Sequence, residues 1–370
     1  MAQRNNRSSK TEQPLSPKEV PARSASRWAQ RLAVNPPIVP DAIEPDESHT
    51  NWSEQAERLQ QHLLQKYHGT SLEDVYPLDT VITPEGSCAA IRSPIRGIPL
   101  QVITRSQAQA LLRRELTLVR GVGPCRAEQC HQQGWETIDD LIRHPSFRLS
   151  AMQALQILDG SPEGAFRYVL DRRVSPSHPV VWWTTGFFRP EEFLFMDIES
   201  LGLFGTPVIL IGVAEWTGQE ILLTQYLARS IDEEPAVLHA FLAHATRKAA
   251  WITFNGRTFD APMIRNRSAY YGMPLSGEMV PHYDLLHFAR RAWKDQLPDS
   301  RAATIERAIL GVAREDDLPG SYVPVFYDTY RRLHNIGPLT YILDHNRQDL
   351  LGMVGISSLL TQEWGQPNAS

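Results

Sequence analysis

The sequence predicts an α/β fold: a mixed β-sheet flanked by helices, preceded by a smaller helical region and a disordered N-terminus. Three observations predict it. Beyond Phe193, the β-rich runs FLFMDI, PVILIGVAEW and ILLTQYLA follow one another across short glycine-containing turns, the pattern of an antiparallel meander. Behind them helix and strand patterns alternate: a helix over 234–247, the buried strand WITFN, a helix over 261–271, and HYDLLHFARRAW, a short strand or turn that becomes a helix. Upstream, residues 105–175 read as helical, and residues 1–48 have too few large apolar side chains to offset their ordering entropy. With 370 residues, 42% of them hydrophobic and 21% charged, the chain can bury the core of one large domain or two ordinary ones.

Residues 1–48 are rich in Ser, Pro, Arg and Glu, and lean basic through Arg4, Arg7, Lys10, Lys18, Arg23 and Arg27. That composition predicts a solvated tail. A second region, 49–104, opens with WSEQAERLQQHLLQKY, whose apolar residues recur at the spacing of an amphipathic helix. It continues through ITPEGSCAAIRSPIRGIPLQVI as short strands with turns. In the third, 105–175, the helical SQAQALLRREL leads into LVRGVGPCRAEQCHQQGWETIDDLIRHP. Gly121 and Gly123 allow a tight turn between two helices and leave backbone N–H groups at the start of the second, a ready phosphate site. The GVGP turn followed by GWETIDDLI resembles a helix-hairpin-helix motif. The resemblance implies sequence-independent gripping of a nucleic-acid backbone through Gly121 and Gly123; a purely structural helix turn is the alternative. The fourth region, 190–365, carries the sheet.

The bulk numbers exclude several classes. A formal net charge of −5 excludes a protein that coats nucleic acid with a uniformly basic surface, while leaving room for a basic groove. Cys88, Cys125 and Cys130 form no CxxC pair and no zinc spacing, as in a reduced, cysteine-poor protein. No apolar stretch approaches the ~20 residues needed to span a bilayer, and the first residues have no apolar core of a secretory signal. The expectation is a cytoplasmic protein without a membrane partner.

The chemistry is carried by acids far apart in sequence. Asp197 and Glu199, in FLFMDIESLGL, flank Ile198, so strand alternation puts both carboxylates on one face. Like charges that close raise each other's pKa unless something cationic separates them. Asp260, in FNGRTFDAP, follows a strand at a helix start, and Asp349, in HNRQDLL, lies on a late helix. Together the four would form a hard-oxygen site suited to Mg²⁺ or Mn²⁺. His345 lies one turn before Asp349 on the same helix face. Singly, a DxE on a strand is commonly a surface pair and an acid at a helix start a cap; their joint order with matching flanks is what points to a metal. Asp284, in HYDLL, reads as a supporting acid, and Asp316 and Asp317, in EDDLPG, as a capped turn. Arg257, Arg265, Arg267, Arg290, Arg291 and Lys294 make the neighbourhood basic, and some of them could line a phosphate path.

This order of elements and acids resembles the DEDD exonuclease superfamily. Asp197-x-Glu199 matches its first motif, and Asn255-x-x-x-Phe259-Asp260 the second motif of the proofreading branch. His345-x-x-x-Asp349 stands where that branch has a tyrosine and an aspartate four apart. More narrowly, FLFMDIESLGL, ITFNGRTFDAPMIRNR, HYDLLHFARRAW, REDDLPGSYVPVFYDTY and LDHNRQDLLGM resemble, in order, the YprB-type ribonuclease H-like proteins of bacteria, with Ser200 where threonine is commoner. The resemblance implies a ribonuclease H-like mixed sheet over 190–365 and a metal-dependent nuclease. It further implies a 3′–5′ exonuclease acting on single-stranded DNA or RNA with two Mg²⁺ or Mn²⁺ ions about 4 Å apart. In that scheme Asp197 bridges or binds both ions, Glu199 and Asp349 hold the one that activates water, and Asp260 holds the one near the leaving oxygen. His345 orients or deprotonates the water. Arg257 would contact the substrate, and Asn255 would contact it or brace its turn. The rivals are an inactive ribonuclease H-like fold serving as a nucleic-acid binder or scaffold, and a structure-specific endonuclease. Retention of all four acids weighs against the inactive fold.

Overall fold

The computed structural model describes residues 52–172, 174–273, 280–314 and 318–366. The tail over 1–48 and the turn at Asp316 and Asp317 lie outside the described residues.

The chain begins with helix α1 (Trp52–Lys66) and the hairpin β1 (Leu78–Thr83) and β2 (Gly86–Ile95). Helices α2 (Arg105–Arg113), α3 (Pro124–Gln132), α4 (Arg148–Leu158) and α5 (Pro162–Asp171) follow, with a 3₁₀ turn in each of the first two connections. Then come β3 (Phe193–Ser200), β4 (Val208–Trp216), β5 (Ile221–Leu227), α6 (Glu234–Ala245), β6 (Ala250–Thr253), α7 (Asp260–Tyr270), β7 (His282–Asp284) and α8 (Leu285–Trp293). A short helical segment with a π turn (Glu306–Leu310) precedes α9 (Val323–Leu333) and the long α10 (Gly337–Trp364).

Among the described residues, seven strands join one sheet in the order β1-β2-β5-β4-β3-β6-β7. The meander β3-β4-β5 is antiparallel, and β6 and β7 add parallel to β3. The β1-β2 hairpin pairs antiparallel with β5 through β2. The N-terminal region is therefore continuous with the sheet, and the hairpin covers the β5 edge that would otherwise present unpaired backbone groups.

β3 lies deep in the sheet and is apolar on both faces, as a strand covered on both sides must be. Leu194, Met196 and Ile198 pack with α6 and α7, while Phe193 and Phe195 join the core formed with α8, α10 and the helical region upstream. Strand alternation thus turns Asp197 and Glu199 toward α10. That helix approaches closely because glycines line its contacts: a Cβ on Gly355 would lie 2.8 Å from Leu310 Cδ1, and one on Gly337 would lie 2.3 Å from the backbone oxygen of Leu63 in α1. Asn335 reinforces the α1 junction, donating from Nδ2 to Leu64 O at 2.9 Å and accepting from Gly337 N–H at 2.8 Å.

Gly337→Ala is expected to force α1 away from α10 and cost about 1–3 kcal/mol. A lowered denaturant midpoint at unchanged m-value would show it; an unchanged midpoint would mean α1 is not held in this way.

Candidate metal centre

Three devices hold the sequence-predicted acids in place. The first lies across the meander. Asp197 pairs with Gly212 on β4, and Gly212 pairs with Gln225 on β5, giving one row on one face. Asn346 of α10 is fully buried over that row. Its Nδ2 donates to Asp197 Oδ2 at 2.8 Å and to the Asp197 backbone oxygen at 3.2 Å. Its Oδ1 accepts from Gln225 Nε2 at 3.0 Å, and the same nitrogen donates to Leu343 O at 2.8 Å. The space exists because position 212 is glycine: a Cβ there would lie 2.0 Å from Asn346 Oδ1.

The second device uses the end of a ladder. β6 pairs with β3 only as far as Phe195. Beyond it the Ile198 N–H donates to Asp260 Oδ1 at 3.1 Å, and Asp260 is the first residue of α7. The turn that delivers Asp260 is braced by Asp284, whose carboxylate accepts from the N–H groups of Asn255 (2.7 Å), Arg257 (3.1 Å) and Leu286 (3.2 Å). Asn255 sits at φ 65°, a left-handed conformation that asparagine tolerates better than most residues. Its Oδ1 accepts from Thr258 Oγ1 at 2.8 Å, so this side chain is engaged in the turn.

The third device fixes Asp349. Arg314 Nη2 reaches its Oδ1 at 2.5 Å, and Arg314 also grips Glu306 with Nε and Nη2, each at 2.7 Å. His345 Nε2 stands 3.6 Å from Asp349 Oδ2, with its ring stacked on Tyr341 at 5.9 Å and 24°. Glu199, His345 and Asp349 each offer a ligand atom within 4.8 Å of the others. A cavity of about 110 Å³ opens beside them, lined by Asp197, Glu306 and Asp349 together with Phe254, Ala302, Met353 and Ile356.

The electrostatics follow from burial and crowding. Burial pushes Asp197 well above the usual carboxylate range, with Asp349, Asp260 and Glu199 adding to it and the Asn346 hydrogen bond opposing. Burial likewise raises Glu199, helped by Asp349 and Asp260 and opposed by Arg314. Asp260 is raised to about 7, chiefly by burial, although the backbone N–H groups of Asp260 and Ile198 work against it. Asp349 goes the other way: burial alone would raise it, but Arg314 and His345 hold it below its ordinary value. Three acids that resist ionising and one that is held ionised make a pocket in need of positive charge.

Other predicted residues lie elsewhere. Gly121, at φ 92°, and Gly123, the N-cap of α3, belong to the helical region, where Arg126 Nη1 donates to Gly121 O at 2.7 Å. They supply neither a ligand atom nor a lining residue to the acidic pocket. Arg267, placed above among possible phosphate contacts, is instead committed to a buried ion pair with Glu234, at 2.7 and 2.6 Å, which ties α7 to α6. Sequence reasoning missed Asn346, Gly212, Gln225, Glu306 and Arg314. Asn346 and Arg314 stand inside the blocks HNRQD and REDDLPG, whereas Gly212, Gln225 and Glu306 carry no local signal.

A mixed sheet flanked by helices, with acids on its third strand and on two helices against it, is consistent with a ribonuclease H-like fold. Residues 194–361 match the family model of the RNase H superfamily and form a ribonuclease H-like domain. The likeness is of the YprB type: the chain is 29% identical over 174 residues to the uncharacterized protein YprB of Bacillus subtilis (strain 168). That match covers 46% of this chain and 42% of YprB, so the chain spans less than half the length of the relative. Among solved structures, the family B DNA polymerase of the hyperthermophilic archaeon Pyrobaculum calidifontis aligns at a TM-score of 0.38 and 15% identity, covering 79% of this chain and 48% of that one.

Two outcomes are expected from this geometry. Gly212→Ala should displace Asn346 and release Asp197 Oδ2, weakening divalent-ion affinity roughly 10–100-fold, as the loss of a group supporting a metal ligand does; unchanged Mn²⁺ affinity by calorimetry would refute the coupling. The second concerns pH. Burial pushes the Asp260 carboxyl from its ordinary 3.8 up to about 7 in the folded protein. Between those values the folded state holds the extra proton, so stability without metal falls as pH rises. The melting temperature in EDTA should therefore drop from pH 5 to pH 7.5, and Asp260→Asn should flatten the slope. A melting temperature that climbs over that range in the wild type would count against it.

Proposed function

We propose that the protein is a metal-dependent nuclease that hydrolyses phosphodiester bonds, acting as a 3′–5′ exonuclease on single-stranded DNA or RNA. The observation that carries this reading is the way the three aspartates are held. One oxygen of each is fixed by a protein donor: Asn346 Nδ2 for Asp197, the Ile198 N–H for Asp260 and Arg314 Nη2 for Asp349. Each carboxylate plane is thereby set before anything binds, as a preorganised ligand set requires.

The donor set fits a hard divalent cation: oxygen ligands dominate, one imidazole stands at the edge, and the pocket is short of positive charge. Asp197, Glu199, Asp260 and Asp349 would hold two Mg²⁺ or Mn²⁺ ions. When bound, such ions lower the pKa of water and neutralise charge on phosphoryl oxygens. The chain's own residues supply the rest. Burial around β3 excludes bulk water and strengthens each electrostatic contact. His345, on the rim beside Asp349, is placed to orient the attacking water and take its proton, with Tyr341 fixing its ring by stacking. The Tyr341 hydroxyl is occupied with Leu318, accepting its N–H at 3.1 Å, so His345 is the better candidate for the base. Arg257, whose backbone N–H is held by Asp284, would meet phosphate through its guanidinium, and Asn255 braces the turn.

The helical region with Gly121 and Gly123 would act as a separate grip on the nucleic-acid backbone, through the N–H groups at the start of α3. In this division residues 105–175 bind, residues 190–365 cut, and 49–104 extend the sheet of the cutting domain. Nucleic acid is the partner this reading requires.

End-labelled single-stranded DNA and RNA, incubated with the protein in Mg²⁺, Mn²⁺ or EDTA, test the proposal. The expected result is shortening from the 3′ end that stops in EDTA and falls about a thousandfold in Asp197→Ala, equivalent to about 4 kcal/mol of barrier. Equal cleavage by wild type and Asp197→Ala would sink it, and binding without cleavage would favour the scaffold reading.

A further inference from the structure

The acidic pocket contains a fifth carboxylate. Glu306 lines the same cavity as Asp197 and Asp349, yet it projects from the π turn between α8 and α9. Its place depends on α10 lacking a side chain at position 352, where a Cβ would lie 1.9 Å from Glu306 Oε1. Between Glu306 and Asp349 stands the guanidinium of Arg314, at 2.7, 2.7 and 2.5 Å from their oxygens. The side chains of Arg314 and Glu306 are each 4% exposed. A planar guanidinium shared by two carboxylates from different elements occupies the position that a cation common to both would take.

We infer that Arg314 is a built-in cation of the centre: it holds Asp349 in a fixed orientation and denies the Glu306–Asp349 pair to a divalent ion. The inference rests on the reading of the pocket as a divalent-ion site and deepens it by stating what limits the number of ions. Two consequences are physical. The positive charge on Arg314 persists when metal is chelated, so Asp349 and Glu306 stay compensated in the metal-free protein. Replacing Arg314 by an uncharged side chain leaves two carboxylates facing each other beside a cavity of about 110 Å³, several times the ~10–15 Å³ that one water requires. Paired carboxylate oxygens with space for water are ligands for Mg²⁺ or Mn²⁺. Loss of Arg314 should therefore add an ion, whereas damage to a merely structural salt bridge would reduce ion binding.

The test counts ions on the full chain by titrating Mn²⁺ and following free Mn²⁺ by electron paramagnetic resonance, with circular dichroism confirming the fold. Arg314→Met is expected to bind one Mn²⁺ more than wild type, and Arg314→Met combined with Glu306→Gln to return to the wild-type number. Arg314→Lys, which keeps the charge, should also match wild type. Arg314→Gln, which retains a donor for Glu306, carries the same expectation as the Met variant and replaces it if the Met variant does not fold. The gain and its reversal by Glu306→Gln would support the inference. Equal counts in wild type, Arg314→Met and Arg314→Gln would overturn it while leaving the metal centre intact. Absence of Mn²⁺ binding by wild type and every variant would overturn both this inference and the function on which it rests.

Discussion

The burial of four carboxylates close together is the constraint around which the domain is built. Burial raises the cost of ionising Asp197, Glu199 and Asp260, and neighbouring carboxylates add to it, whereas Arg314 and His345 hold Asp349 below its ordinary value. Left to itself such a set would splay apart or take up protons. Each member is instead anchored to a regular element: a strand deep in the sheet, the first turn of a helix, and the longest helix among the described residues. The anchors are neutral or cationic donors, so every fixed oxygen also gains some compensation. The arrangement stores electrostatic strain in return for a preformed site, as functional centres commonly do.

That constraint explains details of packing with no other evident purpose. Gly212 is a weak strand residue, yet β4 carries it opposite Asp197, where any side chain would collide with Asn346. Gly352 and Gly355 weaken α10 as a helix, yet they bring it against Glu306 and Leu310. At Gly212 and Gly352 local propensity yields to a polar side chain, Asn346 and Glu306, and at Gly355 to the apolar Leu310. Asp284 does comparable work one strand over, using its carboxylate to shape the turn before Asp260.

How much of this could be read in the sequence depended on whether the signal was local. The meander, the later strands and the long final helix follow from apolar runs and periodicity, and the four acids from short motifs with recognisable flanks. Short strands were legible in ITPEGSCAAIRSPIRGIPLQVI, but their membership of the same sheet was not, because pairing with β5 joins residues more than a hundred positions apart. Gln225 and Glu306 look like ordinary polar residues in their own neighbourhoods; only the fold brings them to Asn346 and Arg314. Arg267 shows the reverse error, since a basic residue near a motif looked available for phosphate and was already spent on Glu234.

The placement of Asn346 has a consequence for how the chain comes to maturity. Asp197, on β3, gains its side-chain donor only when α10 docks, and α10 also brings His345 and Asp349. During synthesis from the N-terminus, the sheet and its first two acids emerge well before residues 345–349. A chain that has folded its strands without docking α10 therefore carries a pocket that lacks His345 and Asp349. Docking of α10 covers this face of the sheet and delivers His345 and Asp349 to Asp197 in one event, so packing and assembly of the acidic cluster are not separable steps.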